Sequence, residues 1–269
     1  MRILTTGQYY GSKRTDWRAN GLVLSEYDYY DPRTDWHYHE NPYFMYVLQG
    51  DMHDINHRGR TAIGRGSLVF HNWQEPHQNT KESETGRGFH IELERNWFDE
   101  KKLDIGLWEG SQVIDSPRLH NVLARLYMEF HLQDSFSGIA MELLLLSICE
   151  GLEEGSGHIE KHRPPWVDKL KELIWDNTEN LSLASLSTTL GVHPAHLSRA
   201  IPKYLHINLG EYIRQQKIKR SLPYLLDPSM SLTEIAFALG FADQSHFTRT
   251  FKRYCGQSPK IFRRTGLLE

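Results

Sequence analysis

Cysteine is nearly absent: the 269 residues hold only Cys149 and Cys255, one in each half. Without a dense cysteine framework there is no basis for a disulfide-stapled secreted fold. Long apolar runs are missing as well. The longest, Leu143 to Cys149, contains Ser147 and is far too short to span a bilayer. Met1 to Tyr10 lacks the apolar core of a signal peptide, so a cytoplasmic protein with no membrane partner is expected. The composition of disorder is lacking too. Hydrophobic residues make up 39% and charged residues 24%, which leaves room for two ordinary domains with cores of their own.

The net charge of −3 conceals an asymmetry. Residues 1–160 carry 15 Lys and Arg against 25 Asp and Glu; residues 161–269 carry 16 against 9. An acidic half joined to a basic half points to a polyanion partner for the second alone.

From about Leu22 to Glu94, short β-rich segments alternate with Gly, Pro and Asn punctuation. They are Gly21–Tyr30, Tyr43–Leu48, Met52–Asn56, Ser67–Phe70 and Gly88–Leu93, and their spacing predicts an antiparallel sandwich or barrel. Helical periodicity follows. Ser116 caps a predicted helix starting at Pro117, and a second covers Gly138 to Leu152. The second is apolar nearly all round, which fits either a core helix or a dimer interface. Residues 156–165 read as a linker.

The second half contains an internal near-repeat. Leu181–Arg199 (LSLASLSTTLGVHPAHLSR) and Met230–Arg249 (MSLTEIAFALGFADQSHFTR) each open with Ser-Leu, break at Leu-Gly, and end a second helix on Arg. Ser182 and Ser231 are N-caps, with Ser231 and Glu234 forming a capping box. Gly191 and Gly240 supply the left-handed turn, and Asp243 caps the helix after it. Helix, glycine turn, helix is the helix-turn-helix plan, and its second helix enters the major groove. Leu186, Leu190, Leu197, Ile235, Leu239, Phe247 and Phe251 are the expected core.

Ser231–Arg264 closely resembles the signature of the AraC/XylS family of regulators, and Leu181–Arg199 with Leu209–Arg220 resembles the family's first helix-turn-helix. The resemblance covers about Trp166 to Thr265. It implies two motifs joined by a long helix, here about Gly210 to Leu226, and recognition helices at His193–Tyr204 and Asp243–Tyr254. Ala195, Ser198, Arg199, Gln244, Ser245, Thr248 and Arg249 are candidates to read base edges. His193, His196, His246, Lys252 and Arg253 suit phosphates. Three residues depart from the family pattern. Pro202 should kink or end the first recognition helix, His206 replaces a turn glycine, and Pro223 interrupts the joining helix.

His37-Tyr38-His39, Gly50, and Gly66 to Pro76-His77 resemble the two motifs of the cupin barrel. The resemblance implies three converging histidines, His37, His39 and His77, but places Tyr43 where the family has a Glu. Glu40 and Glu75 are off register. The histidines are then ligands of a divalent metal or hydrogen-bonding groups of an effector pocket. His53, His57, His71 and His90 lack ligand spacing and read as surface or core residues. Trp36, Tyr38, Tyr43, Tyr46 and Trp73 complete a candidate effector site with the three histidines, suited to a carbohydrate or related metabolite; core packing is the other reading of such aromatics.

The expected fold is α+β in two domains. A cupin-like antiparallel β-barrel with following helices fills residues 1–155, the helical part at 116–155 serving dimerisation. An all-α domain with two helix-turn-helix motifs fills 166–269. Expected partners are double-stranded DNA, a small-molecule effector, a second copy of the chain and RNA polymerase. No cofactor or catalytic constellation is expected, with a metal in the barrel left open. The alternative is a metal-dependent cupin enzyme, an isomerase or dioxygenase, with an appended helical domain.

Overall fold

The computed structural model describes residues 1–103, 110–157, 164–176, 181–205 and 207–266. It divides into two compact units, Met1–Ser116 with Leu126–Ser156, and Pro117–Arg125 with Gly157–Glu269. The expected linker lies mostly outside the described residues, as does His206.

The first unit holds two sheets. One joins β1 (Arg2–Leu4), β4 (His37–His39), β9 (His77–Lys81), β6 (Met52–Asn56) and β7 (Gly59–Ile63), in that order. The other joins β11 (Gln112–Val113), β8 (Leu68–His71), β5 (Tyr43–Gln49), β10 (Gly86–Leu93), β3 (Leu22–Tyr29) and β2 (Ser12–Ala19). Neighbouring strands pair antiparallel except β1 with β4. Neither sheet closes on itself or on the other, which corrects the expected closed barrel to two facing sheets. At Gly50 the chain turns with φ +84°, and a Cβ there would stand 2.5 Å from the Thr85 carbonyl oxygen, so only glycine fits.

The strand β5 (YFMYVLQ) explains why the central run is apolar without a break. Tyr43, Met45 and Val47 pack between the sheets with Met52, Ile63 and Val69. Alternation sends Phe44 and Tyr46 to the other face, beside Ile91 and Phe89 of β10. Phe89 there meets Tyr127 and Phe130 of α2 (Pro117–Leu132), with ring centroids 5.1 and 5.0 Å apart. A strand covered on both faces has no polar side to present. The remaining helices of this unit are α1 (Arg95–Lys101) and α3 (Ser137–Gly157).

The second unit is helical: α4 (Pro165–Asp176), α5 (Leu183–Leu190), α6 (Pro194–Leu205), α7 (Leu209–Leu225), α8 (Leu232–Ala238), α9 (Gln244–Cys255) and α10 (Pro259–Gly266). Leu170, Ile174, Leu186, Leu197, Ile201 and Tyr212 form one core. A second is aromatic: Phe247 lies 5.3 Å from Phe241 and 5.8 Å from Phe251, and Phe251 lies 5.6 Å from Phe262. Neither proline ends its helix. The helix α6 runs three residues past Pro202, and α7 two past Pro223. Each proline falls in the last turn, so one missing N–H frees a single carbonyl with no following turn to unravel.

Candidate DNA-reading surface and inter-sheet pocket

Each half of the tandem repeat builds the same corner from its local chemistry. Ser182 accepts from the Ser185 backbone N–H, and the Ser185 hydroxyl closes a capping box in return. Ser231 and Glu234 do the same at α8. Gly191 and Gly240 hold φ of +64° and +66°, the left-handed turn that other residues enter at a cost. Asp243 accepts from His246 N–H at 2.6 Å and starts α9. His193 caps α6 through Nδ1, which accepts from Ala195 N–H at 3.2 Å.

One side of α6 and α9 is buried and the other is open. Leu197, Ile201, Phe247 and Phe251 are inside, and Leu190 is half-buried. Ala195, His196, Ser198, Arg199, Gln244, Ser245, His246, Arg249, Lys252 and Arg253 are exposed; Thr248 is half-buried. Several already have partners. Arg199 donates from Nε to the Ala195 carbonyl at 3.1 Å, and Gln244 accepts from the Thr233 hydroxyl at 2.7 Å. Arg253 stands 3.8 Å from a Glu211 carboxylate oxygen. The side chains of Arg249 and Lys252 have no hydrogen-bond or ion-pair partner among the described residues.

The joining helix α7 is hydrogen-bonded to the second motif and packs Tyr212 into the core of the first. The Lys217 ammonium donates to the Gly240 carbonyl at 2.6 Å, and the Tyr254 hydroxyl donates to Glu211 at 2.6 Å. Towards α4, Arg220 donates to the Trp175 carbonyl at 2.7 Å.

The first unit has a pocket between its sheets, about 570 Å³ of empty space counting its mouth. His37, His39 and Tyr43 line it, with Tyr9, Tyr10, Tyr29, Asn79, Lys81 and His90. Pairing explains the convergence: His37 lies opposite His77 across β4 and β9, and Tyr43 opposite His71 across β5 and β8. The His77 and His71 rings stack 4.4 Å apart, and the Tyr43 hydroxyl lies 3.1 Å from His77 Nε2.

Five expected pocket residues do not line it; His77 lies beside it, against His71 and Tyr43, and the other four stand elsewhere among the described residues. Tyr46, three positions from Tyr43, falls on the opposite face of its strand, and Tyr38 points away from its two histidine neighbours. Trp36 and Trp73 are 39% and 43% exposed and line no part of the pocket. Conversely, His71 and His90 belong to the interior polar cluster although their spacing predicted bland residues. The signal that finds them is face parity: His90 sits on the same face of its sheet as Tyr43, Tyr27 and Tyr29.

Burial pushes the imidazoles down, His71 and His90 to about 3, and holds them neutral, with neighbouring histidines adding to the effect. His37, His39 and His77 are lowered for the same first reason. Burial raises the Asp54 and Glu92 carboxyls. Glu92 is a further residue missed in the sequence. It accepts from Gly7 N–H at 2.7 Å, Asn41 at 2.9 Å and the Tyr9 hydroxyl at 3.2 Å, and so fixes Tyr9 against His90. Donor atoms of His37, His39 and His77 lie within 4.8 Å of one another, as do those of Asp54, His71 and His77.

A helix-turn-helix domain model matches residues 186–265. AdaA of Bacillus subtilis, named a bifunctional transcriptional activator and DNA repair enzyme, is 35% identical over 105 residues, 39% of this chain. The chain spans 50% of AdaA's length. PqrA of Proteus vulgaris, named a probable transcription factor, is 30% identical over 100 residues, which cover 37% of this chain and 82% of PqrA. A crystal structure of ToxT from Vibrio cholerae aligns over 92% of this chain and 98% of its own, with 13% identity and a TM-score of 0.42. Among the described residues no helix is long and apolar enough to cross a membrane.

Proposed function

The chain belongs to the AraC/XylS family of helix-turn-helix transcription regulators, and we propose that it reads a two-part operator under the control of a small molecule bound between its N-terminal sheets. The observation that carries this reading is the pair of capped helices, α6 and α9, each with a buried apolar face and an open polar one. Arg249 has the reach and the free guanidinium for a bidentate pair with guanine, while Lys252 suits a phosphate. Arg199 must leave the Ala195 carbonyl before it can read a base.

The pocket supports a ligand with both apolar and polar faces. Tyr9, Tyr29 and Tyr43 offer ring surfaces, and Asn79 and Lys81 offer polar contacts. A carbohydrate or related metabolite remains the class of choice. Residues 1–115 act as sensor, 116–155 as the dimerising segment, and 166–269 as the DNA-binding domain. Dimerisation draws on α3, where Ile139 and Leu143, with Phe136 just before the helix, leave large apolar side chains exposed. A ligand that binds one arrangement of the dimer better shifts the population towards it, and with it the operator engaged. RNA polymerase is the further partner of such a regulator. The enzyme alternative is not favoured: the family to which the chain belongs regulates transcription.

The test is selection of duplex DNA by the full chain, repeated with Arg249→Ala. Enrichment of a motif with half-sites, degraded at one position in the variant, is the expected result. No enrichment over random duplex rejects the reading.

A further inference from the structure

Two buried hydrogen-bond acceptors face each other between the sheets with no donor between them. His71 Nε2 lies 3.9 Å from Asp54 Oδ1 and has no hydrogen-bond partner, although the side chain is 1% exposed. That separation is too long for a shared proton to join them as a hydrogen bond. Leaving such a lone pair buried and unmatched is unfavourable unless something else satisfies it.

The surroundings present His71 in one tautomer. The Ser111 hydroxyl donates its single hydrogen to Glu75 Oε2 at 2.7 Å, so towards His71 Nδ1, 3.1 Å away, it can only accept. The Nδ1 therefore carries the proton and Nε2 carries the lone pair. His77 is held alike. Its Nδ1 donates to the Glu75 carbonyl at 3.1 Å, which leaves the lone pair on Nε2, where the Tyr43 hydroxyl donates to it at 3.1 Å. Asp54 is steadied by two amides, Asn79 to Oδ1 at 3.1 Å and Asn56 to Oδ2 at 3.3 Å. Imidazoles anchored through Nδ1 and a carboxylate fixed by amides are the outer contacts that orient ligands around a metal.

We propose that Asp54, His71 and His77 bind one divalent transition-metal ion between the sheets. The donors of the three residues lie within 4.8 Å of one another. Two nitrogen donors and one oxygen suit a borderline cation such as Zn²⁺ or Co²⁺ better than Ca²⁺ or Mg²⁺, which take oxygen ligands. In a tetrahedral site with bonds of about 2.05 Å, ligand atoms stand roughly 3.4 Å apart. The 3.9 Å gap between His71 and Asp54 closes to that with a shift of half an ångström. The ion takes the lone pair of His77 Nε2 that now faces the Tyr43 hydroxyl. Its fourth position is then open to that phenol, to water or to a pocket ligand.

The trio His37, His39 and His77 is a rival arrangement that shares His77, so one ion occupies one site or the other. It lacks a carboxylate to offset the cation's charge, and His39 Nδ1 has no partner to set its tautomer.

The experiment strips the full-length chain with a chelator and titrates it separately with Zn²⁺ and Co²⁺. One equivalent should bind, with Co²⁺ giving the intense visible absorption of a tetrahedral site. Asp54→Asn and His71→Asn should each abolish that band. Ser111→Ala should weaken binding by roughly 10- to 100-fold, the usual effect of losing an outer contact. His39→Asn and the control His53→Ala should leave the band in place. Circular dichroism and DNA binding show which variants remain folded, and Ser111→Ala decides the matter should a ligand variant not fold. Absence of the cobalt band in the unaltered chain overturns the proposal. So does a band that survives Asp54→Asn and disappears in His39→Asn.

Discussion

In the first motif, α5 and α6 meet over a core of aliphatic side chains, Leu186, Leu197 and Ile201, and Arg199 folds back on its own helix. In the second, α8 and α9 meet over tilted and edge-to-face phenylalanines, an aspartate caps α9, and the side chain of the equivalent Arg249 has no partner among the described residues. Both keep a serine capping box and a left-handed glycine. Backbone geometry in such a repeat therefore rests on a few short polar residues and one glycine. What the corner reads, and how firmly it is held, rests on side chains that the repeat leaves free to differ.

The largest expected effect tests the cores. Phe247→Ala should destabilise the second motif by about 3–5 kcal/mol, at or above the roughly 2–5 kcal/mol for Leu197→Ala in the first. Denaturant unfolding followed by helical circular dichroism measures both, and a costlier Leu197→Ala would reverse the ranking. The arginines come next. Arg249→Ala should lose about 1–3 kcal/mol of discrimination at one base pair, and Arg199→Ala less. Competition between matched and single-mismatch duplexes reads the difference; equal losses would mean that Arg199 leaves the Ala195 carbonyl without penalty. Lys252→Ala should weaken all sequences alike and lower the salt slope by about one.

Acid separates both motifs from the inter-sheet pocket. Among the described residues of α5 to α9 no histidine is buried, whereas His90 is, with its imidazole pushed down to about 3. The unfolded chain takes up that proton below about pH 6.5 while the folded one does not. Stability from His90 is thus complete above pH 6.5 and lost towards pH 3, by about 1.4 kcal/mol per pH unit. Thermal unfolding at pH 7 and pH 5 should show a lower first-unit midpoint in acid; a midpoint indifferent to pH would contradict a buried neutral His90. The smallest effects are the caps: Ser182→Ala and Ser231→Ala should each cost about 1 kcal/mol, seen as matched shifts in unfolding midpoint.

The strands that were legible in the sequence are those buried on both faces, β3, β5, β8 and β10, together with β6, whose ends the spacing placed at Met52 and Asn56. The strands β1, β2, β7 and β11, each at an edge of its sheet, escaped, and so did β9, which lies inside its sheet but is mostly polar (HQNTK). Edges carry charge and polar residues as a guard against stray pairing, so their hydrophobic signal is weak. The helix-turn-helix corners were legible almost to the residue, because caps and glycines act within three or four positions. The pocket was legible only in part. His37 and His39 announce themselves by alternation, but Asp54, His71 and His90 join them through strand register, which local spacing does not encode.

The clamps on α7 have a consequence for the operator. A brace bonded to the second corner at Gly240 and through Tyr254, and packed through Tyr212 into the core of the first, does not let the two swivel freely against each other. The two contacts proposed with the double helix then keep a fixed helical phase. Inserting one base pair between the half-sites rotates the second by about a tenth of a turn. A rigid brace forfeits that contact, whereas inserting a full turn of DNA restores the facing but exceeds its span.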